Sequence, residues 1–533
     1  MIRRCAIFRA PHSAPHSAPV RAALSAALAA LLVAGLACGC GPGGNSAAAH
    51  HHAARAPAPS RPFPAAENQQ PGTRSWRITK VGAPHAIEGY ADHVSVLPGQ
   101  PFRLLVSTTA PRYRVTVLRM GWYGGAQARQ LWASGQRRGA RQPAARVTPG
   151  TNMVTAPWRP SMTVSTAGWP PGDYLLRLDA STGAQRYVPI TVRSPSTAGK
   201  VVLINDVTTW QAYNRWGGYD LYGGPGGFGD RARAVSFDRP YAHEPSDNGA
   251  GWFMSYDRPA VAFAEKSGVP LAYETDVDLH ADPGLLRGAR AVFSLGHDEY
   301  YSSAMRQSLM NARAAGVNLA FLGANAVFRH IRFAASRLGP DRVVICYKAA
   351  AEDPLSGKDN SETTQDWREP PDPRPESVLT GVFYECNPVS APYVVYDARN
   401  WIFAGTGARD GTSFPGLVGP EYDRVNPSVP VPRPIQVLAH SPLTCGGRSS
   451  YADSAYYTAP GGAGVFAAGT MRWVCSLDRT CGHGVNRAAA AFTDVATTNL
   501  LRVFAAGPAG RAHPAQDNLK RVKPSPVSVG GGD

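Results

Sequence analysis

The chain has 533 residues, 44% of them hydrophobic, so it can bury more than one core. Its formal charge is +16, but six arginines against one glutamate in residues 1–72 place part of that excess outside the folding region. The remaining arginines are scattered singly, with no basic helix or Lys/Arg run, which excludes nucleic acid as the main partner.

The chain opens on Arg3, Arg4 and Arg9 and runs into an Ala- and Leu-rich stretch at 22–37, short for a membrane-spanning helix. Small residues with Cys38 and Cys40 follow, so 1–40 reads as an export signal. Cys38 or Cys40 could carry a lipid after cleavage, although neither follows a good lipobox. The mature chain is thus expected outside the cytoplasm, secreted or lipid-anchored. Residues 41–72 are Gly, Ala, Pro, His and Ser, including His50-His51-His52, and read as a disordered tether.

From 73 to 195 the signals are β. Apolar runs at 94–97, 102–106, 113–118 and 174–178, with Gly and Pro turns between them, predict an Ig-like β-sandwich. From Lys200 strands at 201–204, 271–275, 291–295 and 318–322 alternate with helical patterns at 259–267 and 302–315. That alternation predicts a parallel α/β domain over 196–506. After Arg342 the chain is loop-rich and β-like, ending in a strand at 464–469 and a helix at 489–504; 507–533 reads as a loose tail. Of the five cysteines beyond the signal, Cys475 is expected to pair with Cys481 and Cys346 with Cys386, leaving one over. No C-x2-C spacing suggests zinc. Oligomer formation is left open.

Polar residues cluster after the predicted strands, where an open α/β sheet binds its ligands. Beyond 201–204 comes Trp210-Gln211-Ala212-Tyr213-Asn214-Arg215-Trp216. Beyond 271–275 comes Asp276-Val277-Asp278-Leu279-His280, able to hold a divalent ion but also ordinary turn and cap chemistry. Beyond 291–295 comes Gly296-His297-Asp298-Glu299-Tyr300-Tyr301. On extended backbone His297 and Glu299 face one way and Asp298 the other. The plainer reading makes Asp298 and Glu299 a helix N-terminus. Beyond 318–322 stands Asn325, a pocket residue or the cap of a helix from Ala326. A phenol beside a carboxylate is a hard oxygen pair, which suits Fe(III) better than Zn(II). Holding a phenol deprotonated, far below its usual pKa of about 10, needs a strongly Lewis-acidic ion at short range. No G-x-S-x-G elbow or P-loop is present.

These segments, Ala212-Tyr213-Asn214, 275–280, Gly296-His297-Asp298-Glu299-Tyr300 and Phe321-Leu322-Gly323-Ala324-Asn325, resemble the C-terminal domain family of the N,N-dimethylformamidase beta (large) subunit. The resemblance covers about 200–505. It implies a glutamine-amidotransferase-like (flavodoxin-like) fold, a mononuclear iron held by two tyrosines and a glutamate, and hydrolysis of a small amide. Carried over, it makes Glu299 and Tyr213 metal ligands and His297 and Asn325 pocket residues. For the second tyrosine the choice is Tyr241, with Tyr256 and Tyr219 behind it.

The resulting expectation is an Fe3+-dependent hydrolase of a small substrate's C–N amide bond, with His297 shuttling the proton and Asn325 holding the carbonyl oxygen or water. The competing expectation is a non-enzymatic surface protein that binds carbohydrate or peptide, for which eleven tryptophans supply stacking surfaces. A third uses Asp276, Asp278 and His280 to hold zinc or calcium.

Overall fold

Phe102–Thr108 and Arg112–Met120, buried along most of their length, build the first part of the molecule, where two sheets share one core. A computed structural model describes residues 63–243, 248–479 and 481–522. The expected signal, Cys38, Cys40, His50-His51-His52 and 523–533 lie outside them. A six-stranded sheet contains, in order, Ser95–Val96, Gln185–Val192, Gly172–Ala180, Arg112–Met120 and Ala128–Ala133, with Arg137–Arg138 paired beside it. Ile87–Ala91, Phe102–Thr108 and Met162–Val164 form a three-stranded sheet. Leu104, Val106, Val115, Val117, Leu176 and Val188 fill the core they share.

The second part centres on a seven-stranded sheet ordered Leu271–Thr275, Val201–Asn205, Ala291–Ser294, Asn318–Phe321, Gly464–Ala467, Arg448–Thr458 and Ile435–Cys445. The first five strands are parallel and the last two join antiparallel. Val201–Asn205 is buried throughout because both faces are covered. Val201 and Leu203 enter one apolar cluster, and Val202 and Ile204 enter another. Strand order reverses between Val201–Asn205 and Ala291–Ser294, so a crevice opens beyond their carboxyl ends. The protein is thus mixed α/β, with many sheets and few helices.

A separate four-stranded sheet is ordered Ala234–Ser236, Gly339–Ile345, Arg329–Ser336 and Tyr300–Ser302, the last strand following Ala291–Ser294 in the chain. Arg119 and Glu265, 2.7 Å apart and both fully buried, tie the first part to the helix Arg258–Ser267. Tyr273 Oη donates to the same carboxylate at 2.6 Å.

Three expectations are corrected. Residues 63–72, read as tether, are bound in place: Glu67 accepts from Tyr123 Oη at 2.8 Å, and Asn68 accepts from Tyr123 N at 2.9 Å. Residues 507–522, read as tail, dock on the large sheet, where Asn518 donates to Val437 O at 2.9 Å and accepts from Val437 N at 2.8 Å. Cys475 pairs with Cys481 as expected, but Cys386 pairs with Cys445 and Cys346 stays a buried free thiol. Cys445 ends the long edge strand that the fold lays beside Cys386, whereas Cys346 directly follows a strand of the four-stranded sheet.

Candidate functional site

Two strand ends meet at glycines. Gly296 has φ 46°, and an added Cβ there would run into the backbone of Tyr256; a Cβ on Gly323 would run into the carbonyl of Gly296. Only glycine permits this approach, which brings the turns carrying His297 and Asn325 together. Glu299 N donates to Thr209 Oγ1 at 3.0 Å, and Glu299 O accepts from Phe328 N at 3.0 Å and Arg329 N at 2.9 Å. The backbone is therefore clamped on both sides, and Glu299 and His297 are each 1% exposed. Neither plain capping reading holds. Tyr300–Ser302 pairs as a strand and Ser302, not Asp298 or Glu299, caps the helix Ser303–Ala314. No helix begins at Ala326; Arg329–Ser336 follows as a strand.

Phenols converge on Glu299. Tyr213, at the C-terminal end of the helix Val207–Ala212, donates to Glu299 Oε2 at 2.8 Å. Tyr222 Oη lies 2.8 Å from Glu299 Oε1, 2.9 Å from Oε2 and 2.6 Å from Tyr213 Oη. Tyr300 Oη donates to Tyr222 Oη at 2.8 Å. His297 Nε2 is 3.4 Å from Glu299 Oε2 and 3.6 Å from Glu421 Oε2. Arg329 Nε stands 3.4 Å from Glu299 Oε1, and Lys348 Nζ lies 3.2 Å from the centre of the Tyr222 ring. Asp298 turns away and accepts from Tyr301 Oη at 2.5 Å.

Burial, then the Glu299 charge, pushes the Tyr213 and Tyr222 phenols far above their usual range. Burial alone would raise the Glu299 carboxyl too; the close approach and charge of His297, with Lys348 and Arg329, outweigh it and hold Glu299 low. For His297 burial opposes the proton, but Glu421 and Glu299 prevail and raise it. Burial and the Arg329 charge bring Lys348 down to about 7.

The donor set fits a hard trivalent cation. Two phenols and a carboxylate from three chain segments lie one hydrogen bond apart. Such an ion would take the place of two phenolic protons, leaving two phenolates and one carboxylate to balance its charge. The surroundings are under-bonded: both ring nitrogens of His297 and Oε2 of Glu421 lack a hydrogen-bond partner though buried. Among the described residues no group of three or more His, Cys, Asp and Glu side chains could hold a metal ion, so any metal reading rests on the tyrosines.

The structure thus brings Tyr213, His297, Glu299 and Asn325 to one place, with Asn325 3% exposed and its N–H on Asp423 Oδ1 at 2.8 Å. Tyr241 is not among the phenols bonded to Glu299. It packs against Trp210 (centroids 6.2 Å apart) and beside Gly251, and Tyr222 takes the position expected of it. Of the two behind Tyr241, Tyr256 reaches the His297 ring at 6.1 Å, while Tyr219 packs in an apolar cluster. Sequence reasoning missed Tyr222, Lys348 and Glu421. Tyr222 sits in a Gly-rich loop with no periodic signal, and the other two arrive from far along the chain.

Residues 114–486 match the family described as N,N-dimethylformamidase beta subunit-like, C-terminal. The chain belongs to that family. The matched region begins inside the first β part, well before residue 200. No curated protein matches the chain. Among solved structures, a Paenibacillus sp. cycloisomaltooligosaccharide glucanotransferase complexed with cycloisomaltoheptaose is similar at 13% identity and TM-score 0.12. The likeness covers 22% of this chain and 15% of that one, and it carries no argument. Family membership suggests an amidohydrolase-related function.

Proposed function

We propose that the protein hydrolyses the C–N amide bond of a small substrate at an iron(III) centre held by Tyr213, Tyr222 and Glu299. The observation that carries this reading is the meeting of two phenols, 2.6 Å from each other, on one buried carboxylate at 2.8–2.9 Å. The strand order and the crevice beyond it agree with the amidotransferase-like reading, and the two facing β-sheets before it with the Ig-like one. When bound, the ion would supply Lewis acidity to the amide carbonyl or to water.

The chain's own groups account for the rest. In this reading His297 takes a proton from water and returns it to the leaving amine, and Glu421, 3.6 Å from its Nε2, stabilises the protonated ring. Asn325, buried with its side-chain Oδ1 unpartnered, holds a carbonyl oxygen or water through its side-chain amide in the same reading. Water is limited at this floor, because Glu299, His297 and Tyr300 are almost wholly buried. That strengthens each electrostatic contact.

Localisation outside the cytoplasm remains part of the proposal. Two disulfides are compatible with it, and no described helix is long and apolar enough to cross a membrane. The carbohydrate-binding alternative gains nothing: none of the tryptophans is fully exposed. Elemental analysis and an absorption spectrum test the proposal. On the order of one iron per chain with a phenolate charge-transfer colour is expected. A colourless, metal-free protein that leaves small amides intact would end it.

A further inference from the structure

We infer that Trp252 is a positioning residue, held from the β-sandwich side, that sets the ring plane of His297 and covers the Tyr213 phenol. The inference rests on the function proposed above for its kinetic consequence, but not for the placement itself.

The observation is a histidine with two carboxylates near one nitrogen but no well-formed hydrogen bond to orient its ring. A buried functional imidazole is normally fixed by a carboxylate or carbonyl on its second nitrogen. His297 has no such partner in hydrogen-bond geometry on either nitrogen; the nearest carboxylates, Glu299 and Glu421, lie 3.4 and 3.6 Å from Nε2. An aromatic face holds the ring instead: the indole of Trp252 stacks on it with centroids 5.3 Å apart and planes 18° from parallel. The same indole lies 4.0 Å from the Tyr213 ring, at 32°. The Tyr213 and His297 rings are 5.6 Å apart, too close to lie on opposite faces of the indole. One face of Trp252 therefore covers both groups. Tyr256 closes the edge, 5.3 Å from Trp252.

Backbone geometry shows what holds the indole there. Trp252 begins the π-helical turn Phe253–Asp257, its carbonyl accepting from Ser255 N at 3.1 Å and Tyr256 N at 3.0 Å. The residues before it are anchored on the sandwich: Asn248 O accepts from Tyr187 N, in the strand Gln185–Val192, at 3.0 Å. Gly249 has φ +88°, and an added Cβ would sit 2.8 Å from Tyr187 O. Gly251, at φ +62°, rests on Trp210 and Tyr241. Tyr241 thus lies under the segment that carries Trp252.

The test reads placement and rate separately. Full-length protein prepared without metal and labelled with 13C in its histidine rings should show one ring proton shifted upfield by the stacked indole, assigned by its loss in His297→Gln. Trp252→Leu should return that signal to the range of the other histidines, and Trp252→Phe should keep part of the shift. Gly249→Ala, which displaces the segment from a distance, should reduce it too. In the iron-loaded protein Trp252→Leu should lower kcat roughly 10- to 100-fold with KM nearly unchanged, since misplacing a catalytic group by about 1 Å costs that much. It should cost nothing further in a His297→Ala background. A His297 signal that is unshifted in the native protein, or unmoved by Trp252→Leu in a folded variant, would overturn the placement. Additive losses in the double variant would overturn the positioning role. If native protein neither takes up iron nor cleaves amides, the proposed function fails, and the ring-shift result still decides where Trp252 holds His297.

Discussion

The Asp276–Ala281 helix and the 296–301 turn follow strands of the same sheet and carry much the same residue types, yet their polar groups are used differently. In the helix, Asp278 and Thr275 form a reciprocal cap, Asp276 accepts from Thr208 N at 2.9 Å, and His280 Nδ1 lies 2.8 Å from Ser302 Oγ. Each side chain has a hydrogen-bond partner of its own, although Asp276 Oδ1 is buried without one, and none shares a ligand-like centre with the others. In the turn, Glu299 gathers phenols from two distant segments, and His297 has no tight partner at all. A polar cluster at a strand's carboxyl end therefore reads as a site only where neighbouring segments leave its donors and acceptors convergent and unspent. The zinc or calcium reading of Asp276, Asp278 and His280 has no such convergence behind it.

The sharpest way to break this contrast is Glu299→Ala. It should abolish iron binding and lower turnover on the order of 10^3-fold, given what loss of a single preorganised electrostatic group costs. Normal iron content, measured by elemental analysis, would remove Glu299 from the centre. Next is the pair Tyr222→Phe and Tyr241→Phe. The first should shift or abolish the charge-transfer band and cost roughly 100-fold in rate, the second should leave the band in place. A band lost with Tyr241 and kept without Tyr222 would restore the sequence-based choice.

A smaller effect separates the two buried histidines. His330 stacks on Trp367 (centroids 3.8 Å apart), and burial with the nearby Arg374 charge brings it down to about 3. Its folded pKa is below its unfolded one, so the unfolded chain binds the extra proton between about 3 and 6.5. Its stabilising contribution is present above 6.5 and is lost as pH falls toward 3, at up to ~1.4 kcal/mol per unit. Urea unfolding at pH 7 and 4.5 should show less loss for His330→Phe than for the native chain; equal losses would exclude His330 as the cause. The smallest effect is Asp278→Ala, which should cost about 1 kcal/mol of helix capping while iron and turnover stay unchanged. Lost activity in a stable Asp278→Ala protein would reopen that cluster as a site.

Local chemistry was legible along the chain. Val201–Asn205 and Ala291–Ser294 are continuous apolar runs, and buried parallel strands need little else. The two-residue period of extended backbone put His297 and Glu299 on one side and Asp298 on the other, and hydrogen bonds of Glu299 with Tyr213 and of Asp298 with Tyr301 follow that division. Contacts between distant segments were not legible. Tyr222 replaced Tyr241 beside Glu299, Cys445 replaced Cys346 beside Cys386, and residues 507–522 docked rather than trailing. Such pairings depend on how loops cross between sheets, and no periodicity encodes that. Sequence alone settled the buried strands of the large sheet and which polar residues stand at their ends. Only the packed chain decided which of them meet, because that depends on distances set by the whole core.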